Sequence, residues 1–231
     1  MKKTRSTSYN LLCVAHPDDE TIFFGGLVQR LAKEKSAKPW LVICMTNGNA
    51  DGEGRKRKKQ FEKACSLLGV KGAQWWGYED VFEKRLPVTE IATRLRELPT
   101  PNMIFTHGII GEYGHPHHQD VSFAVHNAFA GHDKVFSCAY NANPDIGIEL
   151  ETKEFETKSK ILMEVYGSET QRFLNLLPST SYEGFLQVTL KEVEALYSYF
   201  AQGKPLRVKD LKAYGWLAGF LKNRRSQPRP F

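Results

Sequence analysis

A continuous apolar run, Leu11-Leu12-Cys13-Val14, ends abruptly in Ala15-His16-Pro17-Asp18-Asp19-Glu20 before Ile22-Phe23-Phe24 resumes. Apolar runs without polar alternation suit strands buried on both faces, as in parallel sheets covered by helices. The arrangement returns far along the chain, where Met103-Ile104-Phe105 leads into Thr106-His107-Gly108-Ile109-Ile110-Gly111-Glu112-Tyr113-Gly114-His115-Pro116-His117-His118-Gln119-Asp120. Four of the seven histidines fall within that second polar segment. Two polar clusters, each leaving a buried strand, meet if the strands end side by side, and that edge is where open α/β sheets collect ligands.

Further runs support the frame. Trp40-Leu41-Val42-Ile43-Cys44-Met45 predicts a second strand, leaving in the polar loop Thr46–Gly52, which should border the same edge. Strands are also expected around Gln74-Trp75-Trp76 and over 134–140. Between them lie helical faces: Phe24, Leu27, Val28 and Leu31; Phe61, Ala64, Cys65 and Leu68; Val88, Ile91, Ala92, Leu95 and Leu98; Val121, Ala124, Val125, Ala128 and Phe129. Gly25-Gly26 would let the first of these helices approach another element closely. The alternation predicts an α/β fold, a doubly wound, Rossmann-like and mostly parallel sheet with helices on both faces. After Asn141 the pattern thins. Ile146–Leu150 alternates as an edge strand, 154–166 is helical, Val193, Leu196, Tyr197 and Phe200 mark a late helix, and 208–222 suggests one more. Residues 1–231 are expected to form a single domain, with disordered tails at 1–7 and 224–231 and a variable C-terminal part at 141–223.

The composition narrows the class. The chain of 231 residues is 41% hydrophobic and 25% charged, as expected of a globular protein with a full core. Cys13, Cys44, Cys65 and Cys138 are scattered and fall on apolar positions, so buried reduced thiols and a cytoplasmic setting are expected. Neither a leader nor a membrane-spanning run is evident. The net charge of +6 is concentrated in Arg55-Lys56-Arg57-Lys58-Lys59 and at Lys222, Arg224, Arg225 and Arg229. This favours anionic partners, including peripheral contact with an acidic membrane, but no nucleic-acid motif accompanies it.

In the first cluster Pro17 is expected at the first helical position. His16 and Asp19, three residues apart, would then share a face as two ligands for a divalent metal, leaving Asp18 free for proton work. The competing reading makes Asp18 or Asp19 a helix cap and His16 an ordinary strand-end residue. The second cluster favours the metal, since His115 and His118 repeat the three-residue spacing.

Ala15–Glu20, paired with Gly111-Glu112-Tyr113-Gly114-His115-Pro116-His117-His118, resembles the PIG-L/LmbE family of zinc-dependent N-deacetylases. Arg57, Ala64 and Leu68-Gly69 match a further pattern of that family, an Arg twelve residues before a Gly. The resemblance covers about residues 8–140. It implies an LmbE-like fold and one Zn²⁺ per chain, with Fe²⁺ as the alternative metal, held by His16, Asp19 and His118. It implies Asp18 as catalytic base, His115 on the oxyanion side with Tyr113 closing over the same group, and Arg57 binding substrate. Asp80, in a polar cluster at a strand end, is a candidate for binding sugar hydroxyls and equally for a helix cap. Where the family often places Asp between the two histidines, this chain has His117, so either another carboxylate such as Asp120 orients His115 or the pKa of His115 differs from the family's. The implied substrate is an N-acetyl amino sugar, small or conjugated, hydrolysed to the amine and acetate. Two other classes remain to be told apart: metal-dependent phosphoester hydrolysis, which would release phosphate, and nucleic-acid binding with a structural metal, which would weaken steeply with salt.

Overall fold

The computed structural model describes residues 8–169, 178–204 and 214–217. Seven strands, β1 (Asn10–Val14), β2 (Trp40–Thr46), β3 (Gly72–Tyr78), β4 (Met103–Thr106), β5 (Val135–Cys138), β6 (Ile146–Glu149) and β7 (Tyr182–Leu186), form one sheet in the order β3-β2-β1-β4-β5-β7-β6. The first five are parallel, and β7 runs antiparallel to both β5 and β6. Strand order reverses beside β1, whose Leu12 faces Val42 on one side and Phe105 on the other. The carboxyl ends of β1 and β4 therefore lie together, and both polar clusters leave the sheet there.

The helices are α1 (Asp19–Ile22), α2 (Gly25–Ala32), α3 (Gly54–Leu67), α4 (Val88–Arg96), α5 (Pro116–Ala128), α6 (Thr152–Glu164), α7 (Pro178–Ser181) and α8 (Leu190–Gln202). Alternate residues of the buried strands serve opposite layers. Leu12, Val14, Val42, Cys44 and Phe105 pack with Leu27 and Val28 of α2, Phe61 and Ala64 of α3, and Ile161 of α6. Leu11, Cys13, Ile43, Met45 and Ile104 pack with Ile91 and Leu95 of α4 and Val121 and Val125 of α5. The doubly wound α/β reading holds, and all four cysteines are buried and unpaired. No helix among the described residues is long and apolar enough to cross a membrane.

The last third departs most from expectation. Ile146–Glu149 is the edge strand foreseen, but it is joined to the sheet through β7, which the sequence pattern does not predict. Tyr182-Glu183-Gly184-Phe185-Leu186 carries a glutamate and a glycine mid-strand, which hides it. Glu183 is nonetheless buried, because its carboxylate caps α2 by accepting from the backbone N–H groups of Gly26 and Leu27, each at 2.8 Å. Lys158 of α6 donates to Glu183 Oε1 at 2.6 Å and to the Ser179 carbonyl. The close approach foreseen at Gly25-Gly26 is real, since a Cβ on Gly26 would lie 2.6 Å from the Leu150 side chain. α8 covers the loop after β4, with Val193, Leu196 and Tyr197 packing on Ile109 and Ile110. Of the expected helix at 208–222, only 214–217 is described, a 3-10 turn with Leu217 buried against α8. The expected tails lie outside the described residues.

Removing one partner of a fully buried ion pair leaves the other charge without compensation. Lys158→Ala should therefore lower unfolding stability by about 3 kcal/mol or more in urea denaturation. Lys58→Ala, on an exposed position of α3, should change it by less than about 0.5 kcal/mol.

Candidate active site

The first cluster is built differently from the expected helical turn. α1 begins only at Asp19, so Pro17 precedes the helix instead of opening it. Asp18 occupies the N-cap position at φ 116°, ψ −33°, a conformation that costs an L-residue roughly 1–3 kcal/mol, and its side chain does not cap the helix. His16 and Asp19 meet through a backbone contact, the His16 N–H donating to Asp19 Oδ2 at 2.8 Å.

Three side-chain atoms converge from the two strand ends. His16 Nδ1 lies 3.2 Å from His118 Nε2 and 3.4 Å from Asp19 Oδ2, and His118 Nε2 lies 3.4 Å from the same oxygen. Bond lengths of about 2.0–2.1 Å in a tetrahedral zinc site require ligand atoms about 3.3–3.4 Å apart. The triangle is thus one face of such a tetrahedron, and the donor set of two imidazoles and a carboxylate suits a divalent metal. Other groupings compatible with a metal are Asp19–His107–His118, His16–His115–His118 and His16–Asp80–His117.

His107 and Glu112 are central, although nothing in the sequence reading assigned them chemistry. Glu112 Oε2 lies 2.5 Å from His118 Nδ1 and 3.1 Å from His107 Nδ1, while Oε1 accepts from the Gly108 N–H at 2.8 Å. All three side chains are completely or almost completely buried, and the two imidazoles stack with centroids 3.9 Å apart. With Nδ1 committed to Glu112, His118 turns Nε2 toward Asp19 and His16, the usual way an outer carboxylate orients a metal-binding imidazole. His107 Nε2 lies 3.2 Å from Asp19 Oδ2. The available signal was an acid set between histidines in one short loop.

The other expected site residues fall around this centre. Asp18 is not free: its Oδ2 accepts from Arg57 Nη2 at 2.8 Å, and its N–H donates to Glu20 Oε2 at 3.0 Å. Arg57 Nη2 also donates to the Pro17 carbonyl at 2.6 Å, and the side chain is only 2% exposed. Its neighbours Lys56, Lys58 and Lys59 are on the surface. His115 caps α5, its Nδ1 accepting from the His117 N–H at 3.2 Å, and its ring stacks on His118 with centroids 4.7 Å apart. Tyr113 is 55% exposed, with its ring edge-on to both His115 and His118. Asp80 Oδ1 lies 3.5 Å from His16 Nε2 and 3.4 Å from His117 Nδ1. Asp120 does not orient His115. It accepts from Tyr197 at 2.7 Å, Arg85 at 3.1 Å and the Leu86 N–H at 2.8 Å, anchoring the far side of α5.

Burial alone would lower every imidazole pKa here, but local charge sorts the histidines. Burial lowers His16, yet hydrogen bonds to Asp19 and Asp80 outweigh it and raise the group to about 9. His107 likewise goes up to about 10, Glu112 and Asp19 overcoming its burial. His115 is pushed down to about 2 by burial and then by the neighbouring His118 and His16. Burial raises the Asp18 carboxyl well above its usual range despite Arg57.

Residues 11–129 match the family model described as PIG-L: GlcNAc-PI de-N-acetylase. The chain belongs to the PIG-L family. PIG-L deacetylases are metal-dependent, in keeping with the cluster of His and Asp side chains here. Among its curated relatives, a 1D-myo-inositol 2-acetamido-2-deoxy-alpha-D-glucopyranoside deacetylase of Corynebacterium diphtheriae is 33% identical over 140 residues, 45% of this chain and 46% of that protein. The chain spans about half the length of the curated relatives it matches. Its structure is similar to an N,N'-diacetylchitobiose deacetylase from Pyrococcus horikoshii, with TM-score 0.60 and 20% identity over 80% of this chain and 85% of the other. It is also similar to GalB, a 4-carboxy-2-hydroxymuconate hydratase of Pseudomonas putida, with TM-score 0.51 and 15% identity over 79% of this chain and 98% of the other. Such distant likenesses establish the PIG-L chain's fold, and chemistry has to be argued from its side chains.

Glu112→Gln keeps the shape of the outer contact and removes its charge. Zinc affinity, read by competition with a chromophoric chelator, should fall about 10- to 100-fold.

Proposed function

We propose that this protein is a zinc-dependent hydrolase that removes the N-acetyl group from an amino sugar. The observation that carries this reading is the triangle of His16 Nδ1, Asp19 Oδ2 and His118 Nε2, beside a buried Asp18, in a PIG-L family member. The relatives' names support an N-acetylglucosamine-type substrate, inositol-linked in the Corynebacterium protein. Buried, unpaired cysteines support a cytoplasmic setting.

His16, Asp19 and His118 would hold the metal. Bound there, zinc would act as a Lewis acid and bring the pKa of a water to about 7. Hydrolysis forms a bond from water oxygen to the acetyl carbon and breaks the carbon–nitrogen bond. Asp18 takes the proton released by the water and delivers it to the departing nitrogen. Arg57 holds Oδ2, which leaves Oδ1 as the transferring atom. Arg57 is thus assigned to positioning Asp18, in place of direct contact with substrate. His115 accepts at Nδ1 and stays neutral, so its proton is on Nε2, where it donates to the oxygen that gains charge. Tyr113, on the exposed rim beside His115, closes over the same group.

Acetate release from N-acetylated amino sugars, presented free, inositol-linked, nucleotide-linked and lipid-linked with zinc added, tests the reading. Acetate and free amine should appear in equal amounts from at least one. Phosphate as product, or no acetate from any of them, would overturn it. Asp18→Asn should retain zinc and lose about 10²- to 10⁴-fold in kcat, without rescue by excess metal. Asp19→Ala should lose zinc together with activity. Arg57→Ala should lower kcat more than it raises KM, because it acts through Asp18. The opposite split would return Arg57 to direct substrate binding.

A further inference from the structure

His117 lies between His115 and His118 on the first turn of α5 and faces a different set of groups. It is fully buried, and its Nε2 lies 3.1 Å from the Val81 carbonyl and 3.0 Å from the Lys84 carbonyl. Carbonyls only accept, so the ring proton is on Nε2 and Nδ1 presents a lone pair. That lone pair is directed at His16 Nε2, 3.1 Å away, and at Asp80 Oδ1, 3.4 Å away. The remaining edge, His16 Nε2 to Asp80 Oδ1, is 3.5 Å.

Two acceptors therefore face each other with at most one N–H, that of His16, to serve both. At 3.5 Å from that nitrogen, Asp80 is at the limit of a hydrogen bond, and an under-served acceptor is costly in a mostly buried site. A cation satisfies all three atoms together. Their separations bracket the edge of about 3.3–3.4 Å expected of a tetrahedral zinc site. The carbonyls behind His117 supply the outer contact that metal-binding imidazoles commonly have.

We propose that His16 Nε2, Asp80 Oδ1 and His117 Nδ1 form a second divalent-cation site, suited to zinc or another imidazole-binding metal, joined to the first through the His16 ring. The proposal goes beyond the deacetylation reading and does not depend on it. With both sites filled, His16 is a bridging imidazolate and its Nε2 proton passes to solvent. Repulsion between two nearby cations makes the second binding step weaker than the first.

The test is metal counting on the full chain. Metal-stripped protein is dialysed against increasing zinc, and bound metal is measured by elemental analysis, with circular dichroism as the check on folding. Wild type should bind two equivalents, one tightly and one at least tenfold more weakly. His117→Ala and Asp80→Asn should each keep the tight equivalent and lose the weak one. A cobalt titration of wild type, followed by visible absorption, should show two phases, so the proposal stands exposed even if a variant fails to fold. One equivalent at saturation in wild type, or two unaltered equivalents in both folded variants, overturns it. Loss of both equivalents from both folded variants also overturns it, because His117 and Asp80 would then only support His16. Metal counting is separate from acetate release: an inactive protein with two sites sinks only the deacetylase reading, and an active one with a single site sinks only this proposal.

Discussion

The site depends on one carboxylate oxygen, Glu112 Oε2, which holds the Nδ1 atoms of both His107 and His118. To place it, the chain adopts φ 53° at Glu112 between Gly111 at φ 76° and Gly114 at φ 98°. Gly111 is required: a Cβ there would lie 2.5 Å from the His115 carbonyl. Asn141, after β5, secures the loop by donating to the Glu112 carbonyl at 2.7 Å. His118 then has Nε2 turned to Asp19 and His16, while His107 Nε2 accepts from the Ala15 N–H at 2.9 Å and lies 3.2 Å from Asp19 Oδ2. Two side chains from one loop thereby acquire fixed tautomers before any ligand arrives.

The same arrangement sets where positive charge resides. Asp19 and Glu112 are both held below the usual carboxylate range; burial opposes this, and surrounding imidazoles overcome it. Their field draws positive charge to the inner face, toward His16 and His107. His115, outside that ring of acids, feels mainly burial and the neighbouring imidazoles and stays neutral. His118, although beside both Asp19 and Glu112, is also pulled down to about 4, chiefly by its burial.

Much of this was legible in the sequence. Continuous apolar runs marked β1, β2 and β4, because strands buried on both faces have no polar residues to spare. Adjacency of the two polar clusters followed from parallel strands ending at one edge. Features that escaped were those without periodicity. β7 hides Glu183 in its interior, where only the N-terminus of α2 and Lys158 make a buried glutamate tolerable. The Glu112 contacts arise from positive-φ backbone, and the Arg57–Asp18 pair joins residues on separate elements. The three-residue spacing of His16 and Asp19 suggested the right proximity for the wrong reason: a backbone N–H draws them together before any helical turn begins.

The backbone at Asp18 carries a consequence for how this protein is free to change. At φ 116° the residue that thermodynamics favours is glycine, which tolerates such angles without a Cβ penalty. Glycine at position 18 would release that strain but delete the carboxylate and leave the buried Arg57 guanidinium without its partner, a loss of the same order or larger. The strained backbone and the buried ion pair thus rest on one residue, and the pairing with Arg57 is what holds the proposed proton carrier at an angle glycine would otherwise occupy.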